Sequence, residues 1–407
     1  MSPFSIWPAF FIIAACLALV TPARPWVFLD APPSQSSARY TSLDGLRGFL
    51  ALAVVMHHTS ITYGYVQTGI WQLPPSSFYA MLGQVGVAVF FMITAFLFWG
   101  RLLDEGSRIN WAALYCNRFF RIVPLYLAAV AFMFAVVAHR TGFQLHVPVT
   151  QLVGELFQWI LPSIIKVPPG INGYAGPGLI LAGVTWTIYY EWLFYLSLPL
   201  LAVGAKSRSP AAFLPIIAFL LIYSQNIFDS IDRYFIALFF CGMFAASMAR
   251  RSPNILGDNK MKSVACVVLL FAVFLRYDTA YAWGPVLLLG AFFLLISSGA
   301  TLFGLLKSRG AQRLGNISYS IYLLQGPVLV VLFSQKILGK YALQSPEHYW
   351  LVALLVSLIL VCISTVTYRF IEKPGISLGR QLIRQHAQTA AQRAPLDAAA
   401  LPLSTNK

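Results

Sequence analysis

Charge is what this 407-residue sequence has least of: only 10% of its residues are Asp, Glu, Lys or Arg. A soluble domain carries about 25%, so a soluble globular protein of this length is excluded, and disorder and coiled coil fall with it. Acidic residues are scarcer still, 13 against 28 basic ones. The five cysteines (Cys16, Cys116, Cys241, Cys266, Cys362) stand singly in or beside apolar runs. With no CxxC pair, an odd count and no zinc-type spacing, they define neither a disulfide framework nor a metal site. No repeat of solenoid or propeller period is present.

Apolar residues fill the gap, at 58% of the chain and a mean hydropathy of +0.72. The runs are continuous rather than alternating, which excludes an outer-membrane barrel. The expected fold is all-α, a polytopic helical membrane protein. A span across hydrocarbon needs roughly 20 apolar residues, and the candidate spans are 4–20, 46–64, 79–99, 122–138, 185–203, 211–225, 234–249, 263–277, 284–303, 317–335 and 349–368.

The basic residues orient these spans. With the segment before residue 46 in the cytoplasm, only Arg140, Lys166, Arg233, Arg276, Lys336 and Lys340 fall outside. The positive-inside rule prefers this arrangement to its inverse, so the net charge of +15 is topological and predicts no nucleic-acid partner. No basic residue precedes the first apolar run, against the pattern of a cleaved signal peptide. Residues 1–41 are therefore expected to form an extra N-terminal helix, its start outside, and a cytoplasmic linker. Residues 42–375 form the membrane domain, and 376–407 a cytoplasmic, disordered tail. The segment 139–184, containing PPGINGYAGPG, is long enough for a lid or binding loop.

Charges within spans are costly and usually face the protein interior with a partner. Arg47 and His58 lie eleven residues apart, three helical turns plus 20°, so they share one face about 16 Å apart, while His57 points about 100° away. A general base at mid-depth and a packed histidine above a snorkelling arginine both fit this pair. Arg118 and Arg121 stand three apart at the start of the 122–138 span, with Pro124 following as if in a first turn. They suit bidentate phosphate binding as well as simple anchoring. Glu191 lies inside TWTIYYEWLFYLSLPLL among Trp186, Tyr189, Tyr190 and Trp192, rings suited to stacking on a sugar or to an interfacial belt. Asp44 is the expected partner of Arg47 or an N-cap. The hydroxyls of LGNISYSIYLL read best as interhelical packing, and Asp229, Asp232 and Arg233 as a solvated cluster.

Six stretches in order carry a family resemblance: SLDGLRGFLALAVVMHH (42–58), VGVAVFFMITAFLFWGR (85–101), NRFFRIVPLYL (117–127), TWTIYYEWLFYLSLPLL (185–201), LGNISYSIYLLQGPV (314–328) and YRFIEKP (368–374). The chain resembles the integral-membrane acyltransferase-3 family of bacterial O-antigen, peptidoglycan and exopolysaccharide O-acetyltransferases. The resemblance implies about ten family-core transmembrane helices in the bacterial inner membrane, with the C-terminus cytoplasmic. It implies transfer of an acyl group, usually acetyl, from cytoplasmic acetyl-CoA or another acyl-CoA to a hydroxyl of a carbohydrate or other acceptor at the outer face. His58 and Glu191 become the catalytic candidates, with His58 as general base or as acyl-carrying nucleophile. Arg47, Arg118 and Arg121 become the acyl-CoA candidates, and Trp186, Tyr189 and Tyr190 the acceptor candidates. No metal is implied. The partners are membrane lipid, the two substrates and, compatibly with the fold, a second copy. Thr94-Ala95 replaces the family's Ser-Gly, and Gln325 stands where many members have histidine, which leaves His58 as the sole matched histidine. A polytopic transporter or a catalytically inactive scaffold of the same fold is the alternative.

Overall fold

The computed structural model describes residues 2–30, 40–161, 165, 166, 168–205, 231–251 and 257–399. Each expected span except 211–225 is occupied by a helix, and 211–225 lies outside the described residues. In chain order the helices are α1 (Trp7–Val20), α2 (Thr41–Thr68), α3 (Ser77–Glu105), α4 (Trp111–Arg140), α5 (Val149–Ile160), α6 (Trp186–Gly204) and α7 (Asp232–Arg251). Then follow α8 (Lys260–Arg276), α9 (Trp283–Ser297), α10 (Arg309–Asn316), α11 (Ser318–Leu332), α12 (Gly339–Ala342), α13 (Pro346–Thr367) and α14 (Lys373–Ala399). Side chains of Asn110, Asn259, Ser308 and Ser345 cap the starts of α4, α8, α10 and α13, meeting backbone donors that a helix start leaves unpaired.

Among the described residues, four stretches are long and apolar enough to cross a membrane alone: α3, α4, α7 and the run Pro346–His386 that joins α13 to α14. A fifth is the pair α10 and α11, bent by 68°. This is fewer than the eleven apolar runs suggest. The shortfall comes from short helices, such as α1 and α9, and from polar side chains inside α2, whose middle reads HHTSIT.

α2 is the axis. A Cβ on Gly45 would overlap the carbonyl of Leu306 in the 3-10 turn that leads into α10, and one on Gly315 would overlap the carbonyl of Asp44, so α2 meets α10 and the turn before it backbone to backbone. Gln312 reinforces the contact, donating to Thr41 O at 2.5 Å and Leu306 O at 2.7 Å. α1 is built into the bundle by Arg313, 1% exposed. Its guanidinium grips Asp30 at 2.7 and 2.9 Å and donates to the carbonyls of Val20 at 2.8 Å and Pro22 at 2.5 Å. On the other flank, Arg250 of α7 holds Asp104 of α3 at 2.7 and 2.5 Å. These pairs gather at one end of the bundle, hereafter the arginine end.

α4 begins at Trp111, well before the apolar run at 122, because Asn110 supplies its cap. Pro124 is thus inside the helix and not in its first turn. Proline has no N–H to donate to Phe120 O, four residues earlier. Gly375 of α14 packs into that place, where a Cβ would lie 2.8 Å from Phe120 O and 3.0 Å from Pro124 Cγ.

A side chain at the contact of α2 with α10 and the turn before it must force backbones apart. Gly45→Val is expected to destabilise the protein by about 1–3 kcal/mol, read as a lowered melting temperature in detergent. The hydrogen bonds from Arg313 hold the Asp30 carboxyl below its ordinary 3.8. A depressed folded-state pKa contributes stability that is complete above the unfolded value and is lost as pH falls through the folded one. Asp30→Asn should therefore melt earlier than wild type at neutral pH, with the gap closing on acidification below 3.8. A gap independent of pH would remove the ion pair as its cause.

Candidate active site

On α2 the two histidines have separate environments. His57 is buried, its Nδ1 2.8 Å from Tyr79 O, and its ring fills the space above Gly83. His58 is half-buried on the face shared with Arg47. Its Nδ1 lies 3.1 Å from both Val54 O and Gln325 Oε1. The amide orientation follows from the network: Gln325 Nε2 donates to Tyr322 O at 2.7 Å, which turns its oxygen toward the imidazole. Two acceptors around Nδ1 require a proton there. In the neutral ring, Nε2 then carries the lone pair. Gln325, fully buried, is thus the residue that sets the tautomer.

Beside His58 lies a cavity of about 530 Å³, with Thr62, Tyr65, Trp71, Arg140 and Tyr174 on its wall. The Trp71 ring stacks on His58 at 6.3 Å, the Thr62 hydroxyl donates to His58 O at 2.7 Å, and wall residue Gly326 follows Gln325. The imidazole therefore sits directly behind this wall. Between α4 and α6, Tyr174, Leu179, Ile180 and Ala182 supply the opposite side. Side-chain hydrogen bonds hold the described residues of this segment together. Glu155 accepts from Asn172 N at 2.8 Å, Asn172 binds His146 N at 2.8 Å and Gln144 O at 2.7 Å, and Tyr126 donates to Trp159 O at 2.8 Å.

Toward the arginine end, Arg47 and Glu191 share a second cavity of about 70 Å³ with Thr187, Ser318, Tyr319 and Tyr322. Glu191 accepts from Tyr195 OH at 3.0 Å and lies within electrostatic reach of Arg118, Arg47 and Arg121. His58 donates its Nδ1–H to Gln325 Oε1 and Val54 O and not to Glu191, so the structure groups Glu191 with the arginines. Asp44 approaches Arg47 only to 3.8 Å. Tyr322 OH meets Thr187 Oγ1 at 2.9 Å between this cavity and Gln325.

Arg118 and Arg121 line a third cavity, of about 230 Å³, open at the arginine end. The Arg118 guanidinium also lies over the Phe98 ring at 4.8 Å.

Trp186, Tyr189 and Tyr190 stand elsewhere. Trp186 packs on Phe235 at 5.1 Å and edge-on to Phe91 at 6.2 Å. Tyr190 meets Phe235 at 4.9 Å and donates its hydroxyl to Asp232 at 2.5 Å, and Tyr189 leans on Tyr190 at 5.3 Å. Trp186 and Tyr190 pack their rings on Phe235 and Phe91, and none of the three lies on the wall beside His58. Asp232 is correspondingly not a solvated residue, since Lys166 also binds it at 3.1 Å; Asp229 lies outside the described residues.

Of the LGNISYSIYLL hydroxyls, Tyr319 donates to Ile122 O at 2.8 Å and Ser320 to Glu372, while Ser318 Oγ is buried without a partner on the Arg47 cavity. Glu372, 1% exposed, is a buried carboxylate that the search for charges within spans passed over. It sits in a π-helical turn, Tyr368–Glu372, with Oε2 unpartnered and Arg121 and Arg47 within electrostatic reach.

An all-helical membrane protein with a tautomer-fixed histidine between two cavities, and arginines behind the inner one, has the architecture of a membrane acyltransferase. Comparison places it: residues 40–369 match the family model described as an acyltransferase domain, and the chain belongs to that acyltransferase-3 family. It is 24% identical over 375 residues to YrhL of Bacillus subtilis (strain 168), named as a peptidoglycan O-acetyltransferase, covering 82% of this chain and 54% of that protein. It thus spans about half the length of that relative. It is 25% identical over 361 residues to BcsY of Komagataeibacter xylinus, named as a membrane-bound transacylase, covering 83% of each. A third relative, protein 2 in the picA locus of Rhizobium radiobacter, is 28% identical over 170 residues, 40% of this chain and 80% of that protein. No solved structure matches significantly.

Replacing Gln325 by leucine removes one acceptor at His58 Nδ1. The expected result is a loss of turnover of about tenfold, the scale of one buried hydrogen bond. The histidine ¹⁵N spectrum should show His58 shifting from the Nδ1–H form to a tautomer mixture. An unchanged spectrum would assign the fixing of the tautomer to Val54 O alone.

Proposed function

We propose that this acyltransferase moves an acyl group, acetyl in the simplest case, from acyl-CoA to a hydroxyl of a carbohydrate acceptor. The chain would lie in the bacterial inner membrane with its arginine end and C-terminus in the cytoplasm and its N-terminus outside. The observation carrying this reading is His58: an imidazole whose Nδ1 is held by Gln325 and Val54 O, behind the wall of the larger cavity and on the helix face of Arg47.

In the proposed reaction, the donor's phosphates rest on Arg118 and Arg121 at the cytoplasmic mouth. Its pantetheine arm passes Arg47 and Glu191 toward His58, a rise of about 16 Å along α2. The acceptor enters the larger cavity, where Trp71, Tyr65 and Tyr174 offer ring faces to a sugar. His58 Nε2 takes the proton of the acceptor hydroxyl as its oxygen attacks the thioester carbon. The C–S bond breaks, and the imidazolium returns the proton to the departing thiolate. A general base of this kind is worth about 10²–10⁴ in rate. The name of one relative, a peptidoglycan O-acetyltransferase, supports a glycan acceptor.

His58→Ala should lower acetyl-CoA consumption by about 10²–10⁴ in liposomes supplied with glycan acceptors. His57→Ala should keep turnover and melt earlier, because His57 fills the space above Gly83. With both substrates varied, intersecting reciprocal plots are expected; parallel plots would replace direct transfer by an acyl-His58 route.

A further inference from the structure

The cavity of about 230 Å³ at the arginine end is walled by Arg101, Asn117, Arg118, Arg121 and Arg380, and no acidic residue is among those lining it. Four guanidiniums and a side-chain amide around one small space make a demanding arrangement. Like charges repel unless an anion joins them, and a guanidinium fork matches phosphate oxygens bidentately. Arg101 has Glu105 at 2.7 Å, and Arg118 and Arg121 have Glu191 and Glu372 within electrostatic reach from outside the lining, but all four guanidiniums border a cavity whose wall carries no carboxylate. Their number suits a dianion better than a carboxylate or a phosphodiester.

Arg380 comes from α14, beyond the family match at residue 369. It is placed by the seam between α14 and α4. Gly375 fits the site left by Pro124, and a Cβ on Gly379 would lie 2.9 Å from Phe120 Cβ. The helices therefore run in close contact, and Arg380 arrives beside Arg118 and Arg121. The disordered tail expected from residue 376 is instead helical through Ala399, and its first turns complete the cavity wall.

We infer that this cavity is a binding site for a phosphate monoester dianion, and that Arg380 and Arg101 are the residues that recognise it. The inference rests on the acyl-CoA reading above, in which the monoester is the 3′-phosphate of the donor. An anionic lipid headgroup offers the same chemistry from another source.

Binding to the purified full-length protein in nanodiscs of zwitterionic lipid tests this. The probes are CoA, dephospho-CoA, adenosine 3′,5′-bisphosphate and short-chain phosphatidate. CoA and the bisphosphate are expected to bind, and dephospho-CoA about tenfold or more weakly, as for loss of a charge-assisted pair. Arg380→Gln should weaken CoA about tenfold while leaving dephospho-CoA affinity unchanged, a pattern that misfolding cannot produce. Equal affinity for CoA and dephospho-CoA would overturn the inference and leave the donor reading standing. Binding of phosphatidate with neither CoA form would keep the monoester site but make a lipid headgroup its ligand, and would overturn the donor reading; binding of none of the four probes would overturn both. CoA preference that survives Arg380→Gln and Arg101→Gln together would move phosphate recognition off these two residues.

Discussion

Hydrocarbon offers no hydrogen bonds, so each polar group carried to mid-depth must find its partner inside the protein. That constraint governs α2. Its HHTSIT stretch is satisfied partly by the helix itself, with Thr59 on Val55 O, Ser60 on His57 O, Thr62 on His58 O and His58 on Val54 O, and partly by neighbours, with His57 on Tyr79 O and His58 on Gln325. Gly83 of α3 leaves the space that the His57 ring fills. Packing and chemistry are therefore one problem here. A helix that does not qualify as a span by composition holds the site because its own carbonyls and its neighbours replace water.

The polar groups form a column instead of a single pocket. Arginines stand at one end, Arg47 and Glu191 follow, Tyr322 and Thr187 come next, and His58 with Gln325 leads to the larger cavity. The two substrates proposed for this chain are confined to opposite faces of the membrane, so neither reaches the other in water. A column through the bundle lets a long flexible donor do the travelling while the base stays fixed. The Tyr322–Thr187 hydrogen bond lies across that route in the state described.

Much of this was legible in the sequence. The angular spacing put His58, and not His57, on the face of Arg47, as it is in α2, and the family resemblance then made His58 the candidate. The apolar runs located the helices, because burial in lipid leaves a signal in every residue of a span. Features depending on distant segments were not legible. Trp186 and Tyr190 read as acceptor rings because nothing local reveals Phe235 against their faces. The larger cavity draws its wall from α2, the segment between α4 and α6, and α11, which share no pattern. Pro124 read as a helix start because the polar turn before it, CNRFFR, hides the cap at Asn110. Glu372 ends the last motif among exposed charges, and only the fold buries it. Gln325 read as a loss, since a family histidine was missing; its partner lies 267 residues away.

That exchange at Gln325 has a consequence for how the site stores protons. Two imidazoles in hydrogen-bond contact share one proton between them and titrate in coupled, macroscopic steps that belong to neither ring. An amide neither gains nor gives a proton in the working range, so it reports nothing back. The pair His58–Gln325 is therefore a one-proton device. Its acceptor oxygen favours the proton on Nδ1, and in the proposed reaction the one proton that comes and goes is the one on Nε2.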